Sequence, residues 1–332
     1  MKQIIIIGTG KAAMLHYRAY CMFVARENIF FIDPYFKQSN DEIIVFPDVE
    51  EALEKINSSK ENIIVDICTP CSEFINLIKK CKDNGLYSIV VEKPFIIDNN
   101  ALNSLCDGLN LVMIQNYLYS EITKTIKKII TENNLNIIKI STDFSKNRIF
   151  DSGRMRGIID GKVPTVFEIE IPHQIYIMDY LLDTNGNEEI YNVVSKDMDL
   201  KNCILKNHGF GIIEAKYKEI YIEHISNLMA KNTKKSINIF CEDNIEITAD
   251  YIIYDKNLQK ITNGMIKVLK NDKILYQKTF ESDDNILFCL KEYYEYFSSS
   301  TINDKYLNRI RYFNKTMFKI NNKLEGETNG TN

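Results

Sequence analysis

The stretch Gln3-Ile4-Ile5-Ile6-Ile7-Gly8-Thr9-Gly10-Lys11-Ala12-Ala13 constrains the fold more than any other part of the chain. Four consecutive isoleucines read as a strand buried on both faces, running without a spacer into a glycine turn and a helix. Gly8 permits the tight turn, Gly10 lets phosphate oxygens approach the backbone, and small Ala13 allows close packing of helix on strand. The exposed N–H groups of the turn and the positive end of the helix attract an anion. Gly8, Thr9, Gly10, Lys11, Ala12 and Ala13 are therefore assigned to a pyrophosphate site. A second apolar run, Ile29-Phe30-Phe31-Ile32, ends on Asp33, whose carboxylate is spaced to accept hydrogen bonds from the ribose hydroxyls of a dinucleotide. A glycine turn with no ligand is the competing reading of the same residues.

The 332 residues suffice for two domains, or one large one, with ample apolar material for a core. The net charge of −4 argues against a nucleic-acid partner, which calls for a basic bias. Short basic pairs such as Lys79-Lys80 and Lys127-Lys128 read as solvated helix faces. No apolar run reaches spanning length, and the first strand begins without a signal-peptide pattern. No membrane partner and a cytoplasmic location are expected. The eight cysteines then read as free thiols in a reducing compartment.

Up to about residue 118, short apolar runs alternate with capped amphipathic segments. Strands are expected at Gln3–Ile7, Ile29–Asp33, Ile43–Phe46, Ile63–Cys68, Ser88–Glu92 and Leu111–Gln115. Asp48 with Glu51 predicts a capped helix over Val49–Asn57, and Ser72 one running to Asn84. Such alternation predicts an α/β fold, a Rossmann-type doubly wound parallel sheet. After residue 120 closely spaced strands dominate, with Asn263-Gly264 and Asn271-Asp272 at the turns, which predicts antiparallel pairing. The domains expected are a dinucleotide-binding domain over 1–118, a substrate-binding and oligomerisation α+β domain over 119–324 with a large, mostly antiparallel sheet, and a disordered tail over 325–332.

Pro94 cannot continue a central strand, so Lys93 ends the strand Val90-Val91-Glu92 at the carboxyl edge of the sheet. In an open parallel sheet that edge is the ligand crevice, where a lysine can donate to a substrate oxygen. A solvent-exposed lysine ending a strand is the plainer alternative. Val65-Asp66-Ile67-Cys68-Thr69-Pro70 ends another strand in the same way, placing Thr69 and Pro70 beside a cofactor. Cys68 and Cys71 also have the spacing of a redox dithiol. The scattered histidines lack metal-ligand spacing, and no metal is expected. Asp33 repels the 2′-phosphate of NADP(H), and Pro34-Tyr35-Phe36 supplies no arginine to bind it; NAD(H) is the preferred cofactor, with Lys37 the only nearby cation.

The N-terminal turn with His16 beyond it, Thr69-Pro70, Glu92-Lys93-Pro94 and the later His173 resemble the Gfo/Idh/MocA family of nicotinamide-dependent oxidoreductases. The resemblance spans residues 4 to 182, and the strand-rich remainder suits that family's open-faced C-terminal sheet. It implies hydride transfer to or from a carbinol or ketone carbon of a sugar, nucleotide sugar or related intermediate. It implies Lys93 as the lysine anchoring the substrate oxygen, His173 as the acid/base, and Glu92 among the cofactor contacts. Asn116 and Tyr117 fall where the family lines the nicotinamide end. The chain departs from the family at Ile169 and Tyr176, where aspartates are usual. Tyr176 is then a candidate helper in catalysis, and Glu170 a substrate-site residue orienting His173. Arg148, Arg154 and Arg156 lie in one loop whose guanidinium forks match a carboxylate or diphosphate, which favours an anionic small-molecule substrate; a solvated loop is the alternative. A homodimer or homotetramer is expected. The departures leave open a cyclic imine reductase of the same family, or a dinucleotide-binding sensor without catalysis.

Overall fold

Strand β1 (Gln3–Ile7) ends at Gly8, and helix α1 (Lys11–Tyr20) opens directly after Gly10 in this computed structural model. The structure describes residues 2–36, 43–153, 163–255, 259–299 and 304–329. They form two units, one made of Met1–Asn116 with Asn285–Asn314, the other of Tyr117–Asp284 with Lys315–Asn332.

In the first unit β2 (Ile29–Ile32), β3 (Ile44–Phe46), α2 (Val49–Lys55), β4 (Ile63–Ile67), α3 (Phe74–Asp83), β5 (Ser88–Val91), α4 (Asn99–Cys106) and β6 (Asn110–Met113) follow in turn. The six strands pair in parallel in the order β3-β2-β1-β4-β5-β6. The order reverses beside β1, the doubly wound arrangement that the alternating sequence predicts. With β2 on one side and β4 on the other, Ile4, Ile5 and Ile6 are wholly buried, which is why the strand is apolar at every position rather than at alternate ones. Asp48 caps α2 by accepting the Glu51 N–H at 2.8 Å. Ser72 caps nothing: Pro70 opens a short 3₁₀ turn over Cys71–Glu73, which moves the start of α3 to Phe74 and leaves the Ser72 hydroxyl against the Glu73 carboxylate.

Helix α9 (Asn285–Ser298) belongs to this unit although the sequence groups it with the C-terminal domain. Its Tyr293 hydroxyl donates to the Met113 carbonyl at the end of β6 (2.7 Å), and Tyr294 accepts the Lys2 N–H (3.1 Å). These are long-range contacts that no local pattern announces. The boundary falls after Asn116. Helix α10 (Lys305–Asn329) continues into the stretch expected as a disordered tail.

The second unit contains α5 (Glu121–Glu132), β7 (Ile137–Asn147), α6 (Ile149–Gly153), α7 (Val166–Ile169), α8 (Ile171–Leu182), β8 (Glu189–Asp199), β9 (Ile204–Tyr217), β10 (Ile220–Asn227), β11 (Met229–Cys241), β12 (Ile245–Asp250), β13 (Tyr254–Asp255), β14 (Lys260–Ile261), β15 (Gly264–Lys270) and β16 (Lys273–Phe280). Eight strands form one sheet in the order β16-β15-β12-β11-β7-β10-β9-β8, antiparallel throughout except for the β7–β10 pair. Burial alternates along β9 and β10, as it does when a sheet covers a core with one face. Gly211 on β9 lets α7 approach: a Cβ there would lie 2.6 Å from Val166. No disulfide joins the eight cysteines. Among the described residues no helix is long and apolar enough to cross a membrane.

Candidate functional site

The glycine turn of the first unit is pinned from two sides. The Gly8 N–H donates to the Ile32 carbonyl at 2.8 Å, and a Cβ on Gly8 would stand 3.0 Å from the Cys68 carbonyl oxygen. Its φ of +102° is one that side chains rarely adopt. Gly10 starts α1 with extended backbone and no side-chain cap, and a Cβ there would meet nothing within 4 Å. The first-turn N–H groups of α1 thus open onto a cradle with room for an anion. Lys11 is exposed, Ala12 half-buried, and Ala13 fully buried.

Asp33, just past β2, already holds this turn: one carboxylate oxygen accepts the Thr9 N–H (3.1 Å) and hydroxyl (2.6 Å), and the other accepts the Tyr35 N–H (3.0 Å). Thr69 and Pro70 follow β4, with the Thr69 methyl 3.6 Å from the Cβ position of Gly8. Half-buried Lys93 follows β5, and its N–H donates to the Glu92 carboxylate at 2.9 Å; the Lys93–Pro94 peptide is cis. The ends of β1, β2, β4 and β5 therefore carry the expected residues to one edge of one sheet. Glu92, expected against a cofactor, turns inward: its other oxygen lies 3.1 Å from His16 Nε2.

His16 is the candidate residue that sequence reasoning undervalues. It is fully buried, its Nδ1 2.9 Å from the Asp66 carboxylate and 3.3 Å from the Cys68 sulfur. Burial pulls its pKa down, but the hydrogen bonds of Cys68 and Asp66 and the Asp66 charge outweigh this and hold it well above the usual histidine range. Burial alone would raise the Glu92 pKa, yet its bond to His16 and the nearby charge of Lys93 bring it below normal. The signal was an acid, Asp66, inside the otherwise apolar run Ile63–Ile67, since a buried carboxylate demands a partner.

In the second unit α8 presents His173. Its Nδ1 meets the Tyr176 hydroxyl at 2.6 Å, and that oxygen also accepts the Tyr117 N–H at 3.3 Å. The Tyr117 ring packs edge-on against His173 (5.0 Å between centroids), Phe144 (5.2 Å) and Tyr251 (5.0 Å). Ile169 is buried in α7.

Lys235 of β11, absent from the sequence reading, joins this group. It donates to the Tyr117 hydroxyl at 2.6 Å, stands over the Tyr117 and Phe144 rings, and pairs with Glu170 at 3.3 Å. Burial lowers the Lys235 pKa, but Glu170 and Tyr117 more than reverse this and hold it above the ordinary lysine value. Lys146 of β7 pairs with the other Glu170 oxygen. Burial, with the like charges of Lys235 and Arg148, depresses its pKa against the pull of Glu170. Arg148 donates its backbone N–H to the Leu228 carbonyl, while its Nε is buried without a hydrogen-bond partner. Glu170 is thus surrounded by cations rather than pointed along the helix at His173. Asn116 donates its side-chain N–H to Asn285 at 2.7 Å in the first unit. Arg154 and Arg156, like Lys37, lie outside the described residues.

No protein-family model matches the chain, and no curated protein matches it significantly. Solved structures do share its fold. KijD10, a 3-ketoreductase from Actinomadura kijaniata in complex with NADP and TDP-benzene, has a TM-score of 0.75 at 10% identity, over 95% of this chain and 96% of its own. A Desulfitobacterium hafniense protein assigned as an NADPH-dependent oxidoreductase has a TM-score of 0.69 at 14% identity, over 97% and 96% of the two chains. At such identities the likeness is one of fold, and it spans both units.

Proposed function

We propose that the chain is a nicotinamide-dependent oxidoreductase acting on a carbinol or ketone carbon of an anionic sugar derivative. The observation that carries this reading is the cradle at Gly8-Thr9-Gly10, with Asp33 on one flank and Lys93 at the end of β5 on the other. The fold shared with KijD10 and the D. hafniense protein supports it. The dinucleotide fits the residues present: α1 offers N–H groups to a pyrophosphate, and Asp33 offers acceptors to ribose hydroxyls. When bound, it supplies or accepts the hydride. Lys93 then holds the substrate oxygen by donating to it, which stabilises developing negative charge. His173 exchanges the proton on that oxygen, with Tyr176 fixing the ring.

KijD10 is in complex with NADP, but Asp33 favours NAD(H) here, since its carboxylate opposes a 2′-phosphate. Titrating NADH and NADPH against the protein decides the point, and tighter NADPH binding overturns it. Lys146 and Lys235 both pair with Glu170, with Arg148 acting on Lys146, and this cluster of cations supports an anionic substrate such as a nucleotide sugar. Eight cysteines without a disulfide suit the reducing cytoplasm. Exposed Ile274, Leu275 and Tyr276 on the edge strand β16 support self-association. The decisive experiment is Lys93→Ala: turnover of keto-sugar or nucleotide-sugar substrates should disappear while NADH affinity stays within about twofold. Retained turnover would remove Lys93 from the reaction.

A further inference from the structure

The His16 ring stands between two carboxylates from different strand ends: Nδ1 2.9 Å from Asp66, Nε2 3.1 Å from Glu92. Ionised carboxylates only accept hydrogen bonds, and a neutral imidazole has one N–H to give. Asp66 meets Nδ1 in a hydrogen bond, while Glu92 meets Nε2 as an ion-pair contact without hydrogen-bond alignment, and two ionised carboxylates flanking one ring favour the imidazolium. Glu92, so held, uses its remaining oxygen to accept the Lys93 N–H. An unbroken chain of contacts then runs from α1, the helix that opens at the phosphate cradle, through His16 and Glu92 to the backbone of Lys93.

We propose that His16 is a positioning residue: as an imidazolium bridging Asp66 and Glu92, it fixes the loop after β5 in the geometry that presents Lys93. The proposal rests on the assignment of Lys93 made above. Four further groups, with Glu92 itself, set the ring's surroundings. Cys68 touches Nδ1, the Tyr20 hydroxyl bonds Asp66, Cys289 of α9 lies within electrostatic reach, and Lys93 and Glu92 face it from the end of β5. The acids outnumber the cations around the ring, which favours its charged form.

His16, Asp66 and Cys68 also have their ligating atoms within 4.8 Å of one another, a spacing open to a metal ion. The contacts favour hydrogen bonds. Two ligands about 2.1 Å from a tetrahedral zinc are roughly 3.4 Å apart, whereas Nδ1 and the Asp66 oxygen are 2.9 Å apart. Burial, with the Asp66 charge, also drives the Cys68 thiol far above the range in which it would ionise as a ligand.

Long-range 15N correlation spectra of the full chain, with His16 assigned through His16→Gln, read the proposal directly. Both ring nitrogens should carry protons at pH 8, and the metal content should be below one tenth per chain. A neutral ring at pH 8, or a stoichiometric metal, overturns it. Glu92→Gln, at a partly exposed position, provides a second variant should His16→Gln not fold. In either variant the rate of Lys93 acetylation, read by peptide mass spectrometry, should change at least fivefold, with NADH affinity unchanged. Acetylation within twofold of the parent chain in the variants that fold overturns the positioning role. The Lys93→Ala turnover test fails or succeeds independently, so the two readings part cleanly.

Discussion

His173 Nδ1 lies 2.6 Å from the Tyr176 hydroxyl, three residues along α8, and that same oxygen accepts the Tyr117 N–H. When the hydroxyl donates to Nδ1, a neutral imidazole carries its hydrogen on Nε2. A phenol thereby orients the ring without adding a charge to a buried site.

Tyr176→Phe should leave the buried Nδ1 without this partner. The expected cost is about 1–3 kcal/mol in unfolding free energy, with kcat falling at least tenfold and the NADH dissociation constant unmoved. Urea melts and steady-state kinetics check both. Equal kcat in the two proteins would detach Tyr176 from the proton step.

Gly8→Ala meets two obstacles, a φ of +102° and a carbonyl oxygen 3.0 Å from the new Cβ. Destabilisation of about 1–3 kcal/mol is expected, with dinucleotide binding weakened at least tenfold. A variant as stable as the parent would mean that the turn has an alternative conformation.

Lys235→Met removes one of the two cations on buried Glu170 and the donor to Tyr117. Lys146 still holds Glu170, so the loss should be about 2 kcal/mol rather than that of a fully stranded charge. The Lys235→Met, Glu170→Gln double variant should recover part of it. Affinity for a nucleoside diphosphate, followed calorimetrically, should drop in the single variant. Recovery of none of the stability in the double variant would disprove the coupling.

His224 is buried on β10 and donates its Nδ1–H to the Thr142 oxygen (2.6 Å), whose own proton goes to Gln174, and burial lowers its pKa to about 3. The unfolded chain binds a proton at this residue near pH 6.5, and the folded chain does not until about pH 3. Stability should therefore fall as pH drops from 6.5 toward 3, with a slope contribution of up to about 1.4 kcal/mol per pH unit. His224→Gln should show a shallower fall over that window. Parallel curves for the two proteins would contradict the assignment.

The fold was largely legible because each signal was local. Ile4–Ile7 is apolar at every position since both its neighbours are strands, and the glycine pair and Asp33 mark the turn at fixed spacing. The candidate site was legible where residues follow strand ends, as Thr69, Pro70 and Lys93 do. It was opaque where side chains from distant strands converge. Lys235 looks like one of many surface lysines until β11 pairs with β7 and sets it opposite Phe144. Ser72 misled because a preceding proline had already spent the turn that a cap would start.

The first unit is closed by a helix that translation delivers only after the strands of the second. Residues 114–284 separate β6 from α9, so at 5–20 residues per second the ribosome takes on the order of ten to thirty seconds to supply the segment whose Tyr293 seals the Met113 carbonyl. The nascent six-stranded sheet must wait that long with one flank uncovered, and a fragment cut at Asn116 would keep that flank bare for good.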